Sequence, residues 1–93
     1  MLAGIGAAHF LSRRFDEAVE KLLPAVEENP TWPTPHRFLA ATYAHMGRIE
    51  EAHEIVDRLR AVSPLVLGSG QLRKPEHQEL LLSGLRLAMG ESA

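Results

Sequence analysis

Apolar residues recur at spacings of three and four along most of the chain, a pattern that predicts amphipathic helices. The stripe is clearest in two segments, from about Asp16 to Glu28 and from about Glu50 to Val62. The apolar positions of the two stripes are Phe15, Ala18, Val19, Leu22, Leu23 and Val26, and then Ile49, Ala52, Ile55, Val56, Leu59 and Val62. The pattern therefore predicts an all-α fold with these segments as its second and fourth helices.

Three further helices are expected from their start and stop signals. The first runs from about Leu2 to Ser12. The third begins near Pro33 or Pro35 and ends near Gly47, and the fifth begins at Pro75 and ends at Gly90. Proline suits the first turn of a helix, and glycine suits its end. Pro24 falls inside the second helix, where it is expected to kink the helix.

The chain also repeats itself. Pro30 and Pro64 lie 34 residues apart, and Arg14-Phe15-Asp16-Glu17-Ala18 has the same layout as Arg48-Ile49-Glu50-Glu51-Ala52. In the same register Gly6 aligns with Ala40, and we expect the two helices of each repeat to approach most closely at these small residues. The sequence thus predicts two copies of one helix-turn-helix unit.

This layout resembles the tetratricopeptide repeat (TPR), a 34-residue helical hairpin that stacks on copies of itself. The resemblance covers about Leu2 to Pro64, with His9 where the family pattern has Tyr. A narrower similarity, in Phe38–Ala52 and Pro75–Ala88, is to the C-terminal TPR tails of bacterial adenylate/guanylate cyclases and winged-helix regulators. The resemblance implies an α-solenoid fragment that binds proteins and performs no chemistry.

The resemblance divides the chain into three parts. Residues 1–64 form two repeats (1–30 and 31–64), residues 65–74 form a loop, and residues 75–90 form a C-terminal helix. A repeat array needs a cap on its last exposed face, so this helix is expected to be that cap. The alternative is a dimerisation helix, because its leucines cover more than one stripe. Trp32 lies between the repeats and is expected to pack into their junction.

Composition excludes several classes of function. The net charge is −2 and the basic residues are scattered, which gives no case for binding nucleic acid or a membrane surface. No apolar run reaches the ~18 residues expected of a membrane span. The chain has no cysteine, which favours a cytoplasmic location and excludes thiol chemistry.

The sequence contains no convincing catalytic, cofactor or metal motif. Glu50-x-x-His53 is half of a di-metal carboxylate motif, and no second copy follows. Gly68-Ser69-Gly70 has no Lys-Ser/Thr after it and is interpreted as a flexible turn rather than a phosphate loop. His9 aligns with Tyr43 and is expected to be a packed, hydrogen-bonded histidine. We therefore expect no enzyme activity, no cofactor and no metal.

The resemblance also implies where a partner binds, since the first helix of each TPR lines the concave face. The residues carried over are Ala7, Phe10, Leu11, Thr34, Arg37, Phe38, Ala41, Ala44 and His45. This surface is mostly apolar with small residues, which suits an apolar or amphipathic protein segment. The alternatives are an oligomerisation or regulatory tail of a signalling protein such as a cyclase, a homodimer, and a groove covered by the chain's own fifth helix.

Overall fold

The computed structural model of the chain describes residues 2–63 and 74–90, with side chains from residue 4 onward. Every regular element in these ranges is a helix, which confirms the all-α class. In chain order the helices are α1 (Leu2–Leu11), α2 (Phe15–Glu28), α3 (Pro33–His45), α4 (Ile49–Val62) and α5 (Pro75–Ala88). The bounds differ from the predicted ones by no more than two residues.

The first four helices form two hairpins, α1 with α2 and α3 with α4. Each hairpin turns through a residue in the left-handed conformation, Arg13 at φ 61° and Gly47 at φ 81°. In both turns the next backbone amide donates to the carbonyl five residues back, at 2.8 Å and 2.9 Å. This is a Schellman turn, which satisfies the last carbonyls of the helix. The repeat seen in the sequence is therefore also a repeat of turn geometry.

Small residues set the distance between the helices of a hairpin. A Cβ added to Gly6 would lie 2.6 Å from Cγ of Leu22 on α2, closer than real Cβ contacts. Ala40, Ala18 and Ala52 are completely buried. The expectation that the helices meet most closely at the small positions is confirmed at Gly6.

Helix α3 is the centre of the molecule, because it packs against α2, α4 and α5 and more lightly against α1. Nine of its 13 residues are buried. By contrast, α5 packs mainly on α3 and only lightly on α4. Helix α3 packs the other way on the preceding hairpin, mainly on its second helix α2 and more lightly on its first helix α1, so α5 departs from a simple continuation of the array.

One local expectation, the packing of Trp32, is wrong, and others stay predictions. Trp32 is 45% exposed rather than packed in the junction. It is the residue before α3, and its backbone is held on both sides: its amide donates to the carbonyl of Asn29 at 3.1 Å, and its carbonyl accepts from Nδ1 of His36 at 2.8 Å. Helix α2 continues through Pro24 to Glu28. The predicted loop 65–74 lies outside the described residues except for Lys74, and the division into domains stays a prediction.

Candidate protein-binding groove

The nine predicted groove residues fall into two sets. Four are buried in the core and five are partly exposed, so they are not one continuous open surface. The buried residues are Phe10, Phe38, Ala41 and Ala44. The partly exposed residues are Ala7, Leu11, Thr34, Arg37 and His45. Phe38, one of the residues carried over to the groove, is only 7% exposed and is therefore not an accessible side chain.

The aromatic core lies beneath the groove and joins the two repeats. Phe10 of α1 meets Phe38 of α3 edge to face, with ring centroids 5.5 Å apart. Phe15, at the start of α2, stacks on the imidazole of His45 at 5.5 Å and 14°. Offset and edge-on aromatic contacts of this kind are favourable and orient the rings. The first repeat thus holds His45 of the second repeat in place.

Helix α5 lies over the last turns of α3, on the face that carries Ala41 and His45. The Nε2 atom of His45 donates to the backbone carbonyl of Leu80 at 2.8 Å. One turn further along α5, Gly84 lies directly against Ala41 and His45. Since the end of α3 meets the earlier residue and the middle of α3 meets the later one, the two helices run antiparallel. Part of the predicted groove therefore already holds a helix.

The partly exposed residues away from Ala41 and His45 are on α1 and on the first half of α3. Ala7 and Leu11 lie on α1, while Thr34 and Arg37 lie in the first turns of α3. The guanidinium of Arg37 is 3.5 Å from the hydroxyl of Ser63 at the end of α4. This part of the surface combines apolar contacts with one positive charge.

Most of the charged pairs lie on the outer helices, away from the groove. Arg48 forms a paired contact with Glu51, and Arg58 donates to Glu54 at 2.9 Å, both within α4 or at its start. These side chains are exposed, and such pairs contribute little to stability.

Burial raises the pKa of Tyr43 above its ordinary value, and the nearby Glu51 raises it further. The tyrosine of the second repeat is therefore buried and harder to ionise than a free tyrosine.

The histidines do not converge on a metal site. Among residues 2–63 and 74–90, no three His, Cys, Asp or Glu side chains come together in a way that could hold a metal ion. His9 is a surface-edge residue, 3.2 Å from Glu17, rather than a packed core histidine. His36 is 1% exposed and bonded to a backbone carbonyl. The role of His45 as a groove residue stays a prediction, and the sequence pattern gave no sign of its backbone partner on α5.

A second, shallow cleft lies between the ends of α2 and α4. Its lining is mainly apolar and consists of Val26, Glu27, Pro30, His36, Arg58, Ala61 and Val62. Arg58 is already paired with Glu54, so the cleft has no set of free charges that converge on one point.

None of the helices in the described ranges is both long and apolar enough to cross a membrane.

Comparison with known protein families agrees with the repeat geometry. The sequence model of the tetratricopeptide repeat matches residues 9–65, which is more than half of the chain. Comparison with curated proteins and with solved structures found no match. The matched region contains the second helix of the first hairpin and both helices of the second, together with the Schellman turns. The chain therefore belongs to the tetratricopeptide repeat family.

Proposed function

We propose that this chain is a non-catalytic protein–protein interaction module that binds an apolar or amphipathic helical segment along α1 and α3. The observation that carries the proposal is α5 itself, which lies on Ala41 and His45 of α3. A surface that accepts one amphipathic helix has the shape and polarity to accept another. The TPR family typically acts in this way, without catalysis.

The chemistry of the surface supports an apolar partner. The small side chains of Ala41 and Ala44 allow a helix to approach closely, and Phe10 and Phe38 pack edge to face in the same core. Leu11 and Ala7 extend the apolar surface along α1. Arg37 adds a positive charge at its edge, which would suit an acidic residue on the partner. Interface energy concentrates in a few such contacts.

The second candidate function is an oligomerisation or regulatory tail of a bacterial signalling protein such as an adenylate/guanylate cyclase, in the cytoplasm. The observation that favours it is exposed apolar surface away from the groove. Ile5 is 48% exposed and Trp32 is 45% exposed. A second copy of the chain or an adjoining domain would cover side chains of this kind. Light scattering of the purified chain at micromolar concentration tests the homodimer directly.

A displayed library of 17-residue amphipathic helices, selected on the immobilised full chain, tests the groove. We expect the selected helices to lose binding to the Leu11→Glu and Arg37→Glu variants and to keep binding to Arg60→Glu, a matched change on exposed α4. Circular dichroism melts of each variant confirm that it is folded. Binders that are insensitive to both groove variants, or a selection that yields none, would contradict the proposal.

A further inference from the structure

Helix α5 approaches α3 closely at one glycine, Gly84. A Cβ added to Gly84 would lie 2.7 Å from the Cβ of Ala41, 2.9 Å from its Cα and 2.9 Å from Nε2 of His45. Real Cβ atoms essentially never come this close, and one of the three atoms belongs to the α3 backbone. Any larger residue at position 84 would therefore push α5 away from α3.

The residues around Gly84 form the apolar face that α5 presents to α3. Leu80, Leu81, Leu85 and Ala88 are buried, at 7%, 2%, 0% and 1% exposure. With Gly84 they give the pattern Leu-Leu-x-x-Gly-Leu-x-x-Ala, which is one face of a helix. The leucines supply buried apolar area, and the glycine supplies the close approach.

The polar contact between α3 and α5 does not involve a side chain of α5. His45 donates to the backbone carbonyl of Leu80, a group that every helix possesses. The stacking of Phe15 on the imidazole holds the donor in this orientation. The bond therefore fixes the position of a helix on α3. Discrimination between helices depends instead on the residue at the crossing point, the position of Gly84, where α5 lies directly against Ala41.

We infer that the groove selects helices with glycine at the crossing point, flanked by leucines in the pattern of α5, and that α5 occupies it as an intramolecular competitor. The inference rests on the proposed function. It specifies the class of partner: an amphipathic helix that reproduces Leu-Leu-x-x-Gly-Leu-x-x-Ala and displaces α5 when it binds.

The way α5 is attached fits this role. It packs only lightly on α4, so most of its buried area is on α3. Twelve residues of sequence, 63–74, join it to the end of the second hairpin. A segment tethered to its own binding site has a high effective concentration there, so a partner competes with α5 by mass action.

Fluorescence anisotropy with a labelled peptide of residues 74–90 tests the inference on the full chain. The peptide should bind the wild-type chain weakly, because α5 competes with it. It should bind a Gly84→Leu chain at least about tenfold more tightly, because that α5 no longer fits. A Gly84→Leu peptide should bind neither chain, whereas an Arg86→Leu peptide, changed at an exposed position, should bind like the wild-type peptide.

A rescue variant tests the contact itself. Ala41→Gly in a Gly84→Leu chain removes the methyl group that lies 2.7 Å from a new Cβ but leaves the contacts with Cα of residue 41 and Nε2 of His45, so it should strengthen binding of a Gly84→Ala peptide only in part. If the Gly84→Leu chain does not fold, two experiments replace it. One uses a Gly84→Ala chain, and the other adds saturating peptide to the wild-type chain and monitors binding through the NMR signals of Ala41 and His45.

The outcomes separate the two hypotheses. Equal binding of the wild-type and Gly84→Leu peptides would mean that the groove accepts helices without selecting at the crossing point, and the inference would be wrong while the proposed function survives. If no peptide binds any chain and the α3 signals do not move, helix binding in the groove is itself refuted.

Discussion

The two hairpins share one sequence pattern, but their first helices have different environments. Helix α1 carries Ile5, which is 48% exposed, while the residue 34 positions later, Leu39 of α3, is completely buried. The difference lies in the neighbours, since α3 is packed between α2, α4 and α5 and the described chain contacts α1 mainly through α2. A repeat motif thus specifies the contact within a hairpin, and stacking decides how deeply each hairpin is buried.

The largest expected effect is at the contact between the two helices of a hairpin, which both repeats form with the same pattern of small residues. Ala52 is completely buried between α3 and α4, so Ala52→Arg would place a long charged side chain in a closed space. We expect a loss of about 3 kcal/mol or more in the free energy of unfolding, or no folded protein. Thermal melts by circular dichroism measure it, with Ala61→Arg on the exposed side of α4 as the matched control. An unchanged midpoint for Ala52→Arg would show that the repeat alignment is wrong.

The comparison between α1 and α3 is tested by the pair Leu39→Ala and Ile5→Ala. Truncating a fully buried leucine leaves a cavity and should cost about 3 kcal/mol, whereas the half-exposed Ile5 should cost less than about 1 kcal/mol. Urea denaturation gives both values. Equal losses would mean that another element, or a second copy of the chain, covers Ile5 in solution.

A smaller effect on stability is expected at Gly6, the position at which the second hairpin has Ala40. Gly6→Ala should cost about 1 kcal/mol, since the clash with Leu22 exceeds the gain in helix propensity. Gly4 in the same helix has nothing within 4 Å of an added Cβ, so Gly4→Ala should be neutral or stabilising. Urea denaturation of the two variants decides this, and a stabilising Gly6→Ala would mean that Leu22 moves aside easily.

The two hairpin turns provide a reciprocal exchange. Arg13 and Gly47 occupy equivalent left-handed positions, at φ 61° and 81°. Arg13→Gly should stabilise the chain by about 0.5 kcal/mol, and Gly47→Arg should destabilise it by about 1 kcal/mol. The space around Gly47 is open, so the cost is in the backbone rather than in a clash. Stability changes of the same sign for the two variants would rule out this explanation.

The smallest expected effect is a titration. Position 43 holds a buried Tyr where the first hairpin has the partly exposed His9, and burial raises the pKa of Tyr43 above the ordinary 10.0. The folded state binds the phenolic proton more tightly, so this contribution to stability is complete below pH 10.0 and is lost as the pH rises through the folded pKa. Tyr43 is the sole tyrosine, so tyrosinate absorbance measures it directly. A midpoint equal to that of the chain in denaturant would contradict the burial.

The sequence alone determined the hairpins of this protein. The three- and four-residue spacing of apolar side chains, the proline at the start of α3 and the left-handed glycine after it predict helices and turns from local chemistry. The 34-residue period predicts that Gly6 and Ala40 lie where helices meet, because two copies of one pattern must pack in the same way. These features need no knowledge of distant residues.

Only the tertiary structure decided what happens between the hairpins and α5. Sequence spacing places Phe38 and Ala41 on one face of α3, but whether that face is open depends on which helix covers it. Helix α5 is joined to α4 by twelve residues that carry no periodic pattern. The contact of Gly84 with Ala41 and the bond from His45 to a backbone carbonyl are long-range and leave no local signal. Helix formation is a local property of the chain, whereas the choice of groove occupant depends on surfaces that meet only after the helices have formed.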